Sequence, residues 1–404
     1  MNDNHHQARN SLIQRLVALV QQFLTELGAE HAQRAVTLTA SLERDLGIGS
    51  LEKAELLHRI EQTFQIRFPD TVLSQAETLN DLIVAIQNAK PPQQNEVMQV
   101  KVALLPLQEE PITANTLLDV LRYYNRQAPD RPHIYLQDDQ GNEQVITYRQ
   151  LFTQSNALAL GLLQRNLKPG ETVALMLPTS EAFFYAFFGI LLAGGVPVPI
   201  YPPLRASDIE AYATRAAGIL RNAEARFLIT FHQAEKLSKL LGALVPSLKE
   251  VTTLAGLSST KNSKVNINVS GDEPALIQYT SGSTGQPKGV LLTHQNLLAN
   301  IRAYGKAAEI KPVDVVVSWL PLYHDMGLIG SWLGSLYYGI PVTMLSPITF
   351  LNHPERWLWA IHYQRATLSA GPNFAYELCM RKIDDQALVG LDLSSWRLAL
   401  NGAE

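Results

Sequence analysis

The alternation of helical and β-rich runs from about Ile112 onward restricts the fold of this chain more than any other feature. Helix-like runs such as "TLLDVLRYYNRQ" and "QLFTQSNALALGLLQRN" are interleaved with short β-rich runs such as "HIYLQD", "ETVALMLP", "ARFLIT", "ALIQYT" and "VVVSWLP". Helices that alternate with strands usually connect parallel neighbours in a sheet and cover its faces. We therefore predict a multilayer α/β domain with mostly parallel sheets over residues 112–404.

The beginning of the chain has a helical period instead. Over residues 11–27 the apolar positions fall on one helical face, at Leu12, Leu16, Val20, Phe23 and Leu27. A second helix is predicted after Ser50, which has the residue type of an N-cap, and a third over Leu79–Asn88 with Thr78 as its cap. Three short helices predict a small α-helical bundle over residues 1–90.

Between these two regions the composition changes. The stretch "NAKPPQQNEVMQ" is rich in proline and glutamine and has little to bury. Such segments are extended and poorly packed, so residues 91–111 are predicted to be a linker.

Composition and charge exclude several classes of protein. The chain is 46% hydrophobic and 17% charged, which is typical of a globular protein, and its formal net charge of -4 argues against a basic nucleic-acid-binding surface. Cys379 is the single cysteine, so no internal disulfide can form, and we expect a cytoplasmic location.

One apolar stretch approaches the length of a membrane span, from Ala182 to Pro203. Two glycines and two prolines interrupt it at Gly194, Gly195, Pro197 and Pro199. These residues break helices, so we predict a buried helix through Ala193 followed by a short buried strand, and no membrane span.

The segment "TSGSTGQPKG", residues 280–289, has the composition of an anion cradle. Glycines allow the backbone amides to turn inward, hydroxyls add donors, and Lys288 adds a positive charge. The predicted phosphate-binding residues are Thr280, Ser281, Gly282, Ser283, Thr284, Gly285 and Lys288. Its spacing is not that of a Walker loop, and strands are predicted on both sides. The alternative is a flexible surface hairpin.

This segment resembles the phosphate-binding signature of the adenylate-forming enzymes, which include acyl-CoA synthetases, luciferases and peptide synthetase adenylation domains. "SWLPLYHDMGLIG" resembles the next motif of that family, in the form typical of fatty acyl-AMP ligases. "LAGGVPVPIYPP" resembles an earlier segment, and "LALNGAE" resembles the adenine-binding loop. The resemblance implies that ATP and a fatty acid condense to an acyl adenylate and pyrophosphate.

The resemblance also implies roles for single residues. Lys288 and His324 would be catalytic, and Tyr323, His324 and Asp325 would lie near the acyl carboxylate and α-phosphate. The adenine would contact Asn401, Gly402, Ala403 and Glu404. Mg²⁺ would accompany ATP, with no protein ligand assigned. A Ser/His/Asp hydrolase is the alternative for His324, but the chain contains no G-x-S-x-G nucleophile elbow.

The run "DDQALVGLDLSSW", Asp384–Trp396, resembles part of an insertion found in the acyl-AMP ligase branch. In that branch the acyl group passes to a carrier protein instead of coenzyme A. Two alternatives stay open: an acyl-CoA synthetase or another carboxylate-activating ligase, and a non-catalytic carrier or docking fragment.

Ser50 lies in a second motif, in the helical region. "DLGIGSL", Asp45–Leu51, resembles the acyl carrier protein signature, in which the serine carries 4′-phosphopantetheine. A serine at a helix start has backbone amides nearby to accept a phosphodiester. Gly49 stands where that signature usually has aspartate, and a plain helix cap is the alternative.

A carrier tethered to a ligase implies loading within one chain and a phosphopantetheinyl transferase as partner. Further biosynthetic domains or enzymes would take the acyl group onward. Family members continue beyond the adenine loop, so we expect the C-terminal subdomain to be absent from these 404 residues. The same reasoning predicts weak adenylation by the 404 residues alone.

Overall fold

The computed structural model describes residues 2–26, 30–48, 50–64, 66, 68–69, 72, 76–89, 107, 110–138, 141–202, 209–231, 235–257, 265–280 and 287–402. They form two compact units, one within residues 1–98 and one within residues 99–404. The predicted linker, residues 91–111, lies almost entirely outside the described residues.

The first unit is helical, as predicted. Its elements are α1 (Asn2–Glu26), a 3₁₀ helix (Glu30–Ala35), α2 (Ser50–Phe64) and α3 (Leu79–Asn88). The first helix begins well before residue 11, and α2 includes Ser50 as its first residue instead of starting after it. Helix ends commonly differ by one residue between definitions, because terminal residues are only half helical.

The core of this helical unit follows the predicted apolar spacing. Leu16, Val20 and Phe23 of α1 are buried against Leu57 and Ile60 of α2 in one cluster. Leu27 lies outside the described residues.

A capping box starts α3. Asp81 N donates to the Thr78 hydroxyl, and Thr78 N donates to the Asp81 carboxylate. The predicted Thr78 cap is confirmed.

The second unit contains all of the strands and eleven further α-helices of the described residues. The helices are α4 (Leu117–Gln127), α5 (Tyr148–Gln164), α6 (Glu181–Leu192), α7 (Ile209–Asn222), α8 (Glu235–Leu244), α9 (Leu254–Leu257), α10 (His294–Ala307), α11 (Gly334–Tyr338), α12 (Pro347–Asn352), α13 (Glu355–Gln364) and α14 (Asn373–Lys382). A π-helix covers Met326–Leu333, and a 3₁₀ helix covers Asp385–Leu388.

The strands are β1 (Pro132–Gln137), β2 (Glu143–Thr147), β3 (Thr172–Leu175), β4 (Val196–Pro199), β5 (Phe227–Thr230), β6 (Glu250–Thr253), β7 (Pro274–Thr280), β8 (Lys288–Thr293), β9 (Val316–Ser318), β10 (Val342–Met344), β11 (Leu368–Gly371) and β12 (Leu398–Asn401).

These strands form three sheets. One has the order β12-β11-β9-β10-β1-β2, and another has the order β4-β3-β5-β6. All neighbours in both sheets are parallel except β1 and β2. Strands β7 and β8 form an antiparallel pair. The prediction of an α/β domain with mostly parallel sheets is confirmed.

The long apolar stretch divides as predicted into a helix and a strand. Helix α6 is buried along nearly its whole length, and every residue of β4 is buried. Gly194 has a φ of 76°, a left-handed conformation that ends the helix and that glycine adopts without strain.

Within the described part of the chain, no helix combines the length and apolar character needed to cross a membrane. The cytoplasmic location stays a prediction.

Candidate functional site

The predicted phosphate loop joins β7 to β8. Thr280 and Lys288 are opposite each other in the antiparallel register, so the residues that flank the loop are neighbours, and both are exposed. The strands predicted on either side of the loop are confirmed. The remaining predicted loop residues lie outside the described part of the chain: Ser281, Gly282, Ser283, Thr284 and Gly285.

Tyr279 holds this hairpin to α7. It is paired with Gly289 across the two strands, and its hydroxyl donates to Asn222 Oδ1 at 2.5 Å. A methyl group on Gly289 would lie 3.0 Å from Tyr279 Cζ, so a glycine next to Lys288 lets the ring lie across the strand. Burial raises the pKa of Tyr279, which keeps the phenol protonated as a donor.

The segment with Tyr323, His324 and Asp325 is a tight turn between β9 and the π-helix. His324 N donates to Pro321 O at 3.1 Å, and the Asp325 carboxylate accepts from Met326 N at 2.8 Å. Asp325 thus caps the π-helix, a role that was not predicted from the sequence.

Gly327 allows this turn to close. A methyl group at Gly327 would lie 2.3 Å from Pro321 O, which is far inside normal contact distance. The glycine of "HDMG" is therefore required for close packing of the turn against the start of the helix.

His324 is exposed enough to meet a ligand and is neutral near pH 7. Partial burial lowers its pKa, although the nearby Asp325 carboxylate acts in the opposite direction. Its ring lies 5.0 Å from that of Tyr323, whose pKa is raised by burial. Tyr201 approaches the Tyr323 ring edge-on at 6.3 Å. A neutral imidazole beside the Tyr323 ring can accept or donate a hydrogen bond.

The predicted adenine residues lie at the end of β12. Asn401 Nδ2 donates to Asn373 Oδ1 at 3.3 Å, and Gly402 N donates to Gly371 O at 3.4 Å. A methyl group at Gly402 would lie 4.0 Å from Met326 Sδ, so this loop borders the start of the π-helix. Ala403 and Glu404 lie outside the described residues.

The topology explains how these segments meet. Strands β9, β11 and β12 are parallel neighbours whose carboxyl ends are Ser318, Gly371 and Asn401. Open α/β sheets bind ligands outside the carboxyl ends of their strands. The structure thus brings the segment Tyr323–Asp325, here called the His324 segment, close to the Asn401 loop. Strand β7 is joined to the His324 segment, because Gln278 Nε2 donates to Tyr323 O at 2.7 Å.

Sequence reasoning missed several residues that shape this site. Gln278 and Tyr279 directly precede the predicted loop, and Asn222 lies far from it in sequence. Their position next to a glycine-rich motif was the available signal. Their partners could not be predicted, because each bond joins residues that are distant along the chain.

The segment Asp384–Trp396 is attached to α13 and to the residue that follows this helix. Trp359 Nε1 donates to Ala387 O at 2.9 Å, and Asp392 N donates to His362 Nδ1 at 2.9 Å. Hydrogen bonds from Ser394, and then the pairing with the Arg365 guanidinium, lower the pKa of the Asp392 carboxyl. The segment is therefore anchored at several points.

Ser50 stands at the start of α2, behind a turn that is fixed to the helical core. Leu46 and Ile48 are buried, and Gly47 between them has a φ of 69°. The Asp45 carboxylate accepts from Ser41 N at 2.8 Å. This turn places the backbone of Ser50 at the amino end of a helix, where a phosphodiester is favoured.

Comparison with known sequences gives one family match in each of the two units. Residues 121–404 match the family described as AMP-binding enzyme, and residues 14–86 match the phosphopantetheine attachment site family. The chain belongs to the AMP-binding enzyme family. Its adenylate-forming α/β domain follows an amino-terminal phosphopantetheine-binding domain, as the resemblance implied.

Two similar proteins are fatty acid ligases. The medium-chain-fatty-acid–[acyl-carrier-protein] ligase JamA of Moorena producens is 36% identical over 297 residues, which are 72% of this chain and 50% of JamA. The long-chain-fatty-acid–AMP ligase FadD26 of Mycobacterium marinum is 32% identical, over 73% of this chain and 52% of FadD26. The chain spans about half the length of the curated relatives it matches.

A solved structure is similar as well. It is the fatty acyl-adenylate ligase of L. pneumophila, crystallised with acyl adenylate and pyrophosphate. The TM-score is 0.67 at 34% identity, and the match covers 72% of this chain and 50% of the other.

Proposed function

We propose that the protein containing this chain activates a fatty acid with ATP and transfers the acyl group to a phosphopantetheine thiol. The observation that carries the proposal is the pairing of a phosphopantetheine-binding domain with a ligase domain that is 36% identical to an acyl-carrier-protein ligase. The site geometry supports it, because Lys288 and the His324 segment are connected through β7.

In the first step a carboxylate oxygen attacks the α-phosphorus of ATP. A P–O bond forms to the acyl group, and the P–O bond to pyrophosphate breaks. Lys288 and the loop residues 280–285 would hold the departing phosphates, and the charge on Lys288 would stabilise the developing negative charge. Mg²⁺ would share that charge. Within the described residues there is no cluster of three metal-ligating side chains, and no protein ligand is assigned to the ion.

The neutral imidazole of His324 would donate to an oxygen of the carboxylate or α-phosphate, and Tyr323 would border the acyl group. Asn401 and Gly402, with Ala403 and Glu404, would contact the adenine. In the second step the pantetheine thiol loses its proton and attacks the acyl carbon. A thioester forms and AMP leaves.

We place the carrier at residues 1–90, the linker at 91–111 and the ligase region at 112–404. Helix α3 ends at Asn88 and the two family matches are separated by residues 87–120, which supports these boundaries. A linker of about 20 residues spans about 25 Å as a random coil, so loading of Ser50 by its own ligase is feasible. A phosphopantetheinyl transferase would modify Ser50, and further enzymes would receive the acyl group. We propose that segment 384–396 disfavours coenzyme A as acceptor.

The test is a Lys288→Ala substitution with Lys306→Ala as its control. Lys306 is another exposed lysine, in the last turn of α10. We expect Lys288→Ala to lower kcat/KM for ATP-dependent acyl adenylate formation by about 100- to 1000-fold, because it removes a cation from the departing phosphates. Lys306→Ala should have no effect.

An equal loss in the two variants would contradict the proposed role of Lys288. Offering coenzyme A and the holo-carrier as competing acceptors separates the carrier ligase from the acyl-CoA synthetase.

A further inference from the structure

Gln278 connects two parts of the candidate site that are separate in the sequence. It lies in β7, two residues before Thr280, and only 6% of it is exposed. Its side-chain amide donates to the main-chain carbonyl of Tyr323 at 2.7 Å. This bond runs directly from the hairpin that carries Lys288 to the peptide that leads into His324.

The peptide group between Tyr323 and His324 is held on both of its polar sides. Its carbonyl accepts from Gln278, and its N–H, which belongs to His324, donates to Pro321 O. A peptide group is planar, so two such bonds fix the orientation of the whole unit. The backbone that carries the imidazole is therefore set relative to β7.

Packing alone does not account for a glutamine at this position. The preceding β7 residues Ala275 and Leu276 are fully buried and apolar. Among the described residues, Gln278 Oε1 is buried and has no hydrogen-bond partner. A buried unpaired acceptor is unfavourable, and an apolar residue of the same shape would avoid it. Buried polar atoms without a hydrogen-bond partner are expected mainly at functional positions.

We propose that Gln278 is a positioning residue that holds the His324 segment in register with the phosphate-binding hairpin. This inference rests on the proposed function, which needs the phosphates and the attacked phosphorus at fixed separation. The neighbouring Tyr279 points to the other face of the strand and bonds to Asn222, so β7 is held on both sides. A small displacement of a reacting group lowers the reaction rate strongly even when the substrate still binds.

The test uses Gln278→Met, which keeps the length of the side chain and removes the amide. Gln364→Met is the matched control. Gln364 is also 6% exposed, and its amide donates to Glu143 Oε2 at 2.9 Å in β2, the edge strand furthest from β12.

The first measurement is amide hydrogen exchange without nucleotide. We expect residues 321–328 to exchange about two- to tenfold faster in Gln278→Met and unchanged in Gln364→Met, which corresponds to loss of one hydrogen bond. The midpoint of thermal unfolding should stay the same or rise in Gln278→Met. Unchanged exchange over residues 321–328 would overturn the inference.

The second measurement is the kinetics of acyl adenylate formation by the whole protein. We expect Gln278→Met to lower kcat about tenfold or more, with KM for ATP changed by less than about twofold. In a His324→Ala background the same substitution should add almost nothing, because both act through one segment. Additive effects, or an equal loss in Gln364→Met, would contradict the positioning role.

These two measurements separate the inference from the proposed function. If the unsubstituted protein forms no acyl adenylate, the proposed function fails. The exchange result still decides whether Gln278 holds the His324 segment.

Discussion

The two units of this chain build their candidate sites in different ways. Ser50 is positioned by one continuous turn and a helix, all within Ser41–Phe64, and the core beneath it comes from the same unit. The α/β site is assembled from the ends of β7, β9, β11 and β12, which are spread over more than a hundred residues. A local motif suffices to place the first site, and the second depends on sheet topology and on bonds between distant residues.

Destabilising one unit and following the unfolding of the other shows whether the two units fold independently. Leu82 in α3 is fully buried in the helical core, so Leu82→Ala should cost about 2–5 kcal/mol in the free energy of unfolding of that unit. The α/β unit should unfold as before, because among the described residues its core clusters contain none from the helical unit. Hydrogen exchange across a denaturant series reports on both units.

Val84→Ala in the same helix is the control, since Val84 is 47% exposed and should change little. If Leu82→Ala destabilises both units equally, they do not fold independently.

A substitution near the start of the π-helix, where it packs on the turn after β9, tests how far the α/β site depends on close packing. Gly327→Ala should destabilise the α/β unit by about 1–3 kcal/mol, because the added methyl group meets the carbonyl of Pro321. Gly330→Ala is the matched control in the same π-helix, where nothing lies within 4 Å of the added methyl group. Thermal unfolding of the three proteins measures the effect, and equal midpoints for the two variants would show that the turn adapts.

The α/β unit should lose stability in acid because of His294, which is buried in that unit. Burial lowers its pKa from 6.5 to about 4, and its Nδ1 accepts a hydrogen bond from Leu117 N at the start of α4. As pH falls, the imidazole of His294 takes up a proton at a higher pH in the unfolded chain than in the folded protein. The free energy of unfolding therefore falls by about 1.4 kcal/mol per pH unit as pH drops from about 6.5 to about 4.

The amide oxygen of His294→Gln can accept the same bond without titrating. We expect the free energy of unfolding of the α/β unit to depend less steeply on pH in this variant over that range. An unchanged slope in denaturant unfolding would show that His294 does not contribute.

Features that depend on neighbouring residues could be predicted from the sequence, and features that depend on distant residues could not. The Thr78 capping box, the division of Ala182–Pro203 and the strands around the phosphate loop were predicted, because each depends on residues close together in the chain. The Gln278 bond to Tyr323, the Asp325 cap and the π-helix were not predicted. They depend on how strands are ordered and how a turn closes, which periodicity and residue type do not specify.

Whether the ligase region loads the carrier serine can be read from the mass of the peptide that contains Ser50. The whole protein that contains this chain is co-expressed with a phosphopantetheinyl transferase and incubated with ATP, Mg²⁺ and mixed fatty acids, with its Lys288→Ala variant treated in parallel. We expect a phosphopantetheine mass with a fatty acyl increment on Ser50, and phosphopantetheine without the acyl increment in Lys288→Ala. An unmodified Ser50, or an acyl increment of equal amount in both proteins, would contradict this expectation.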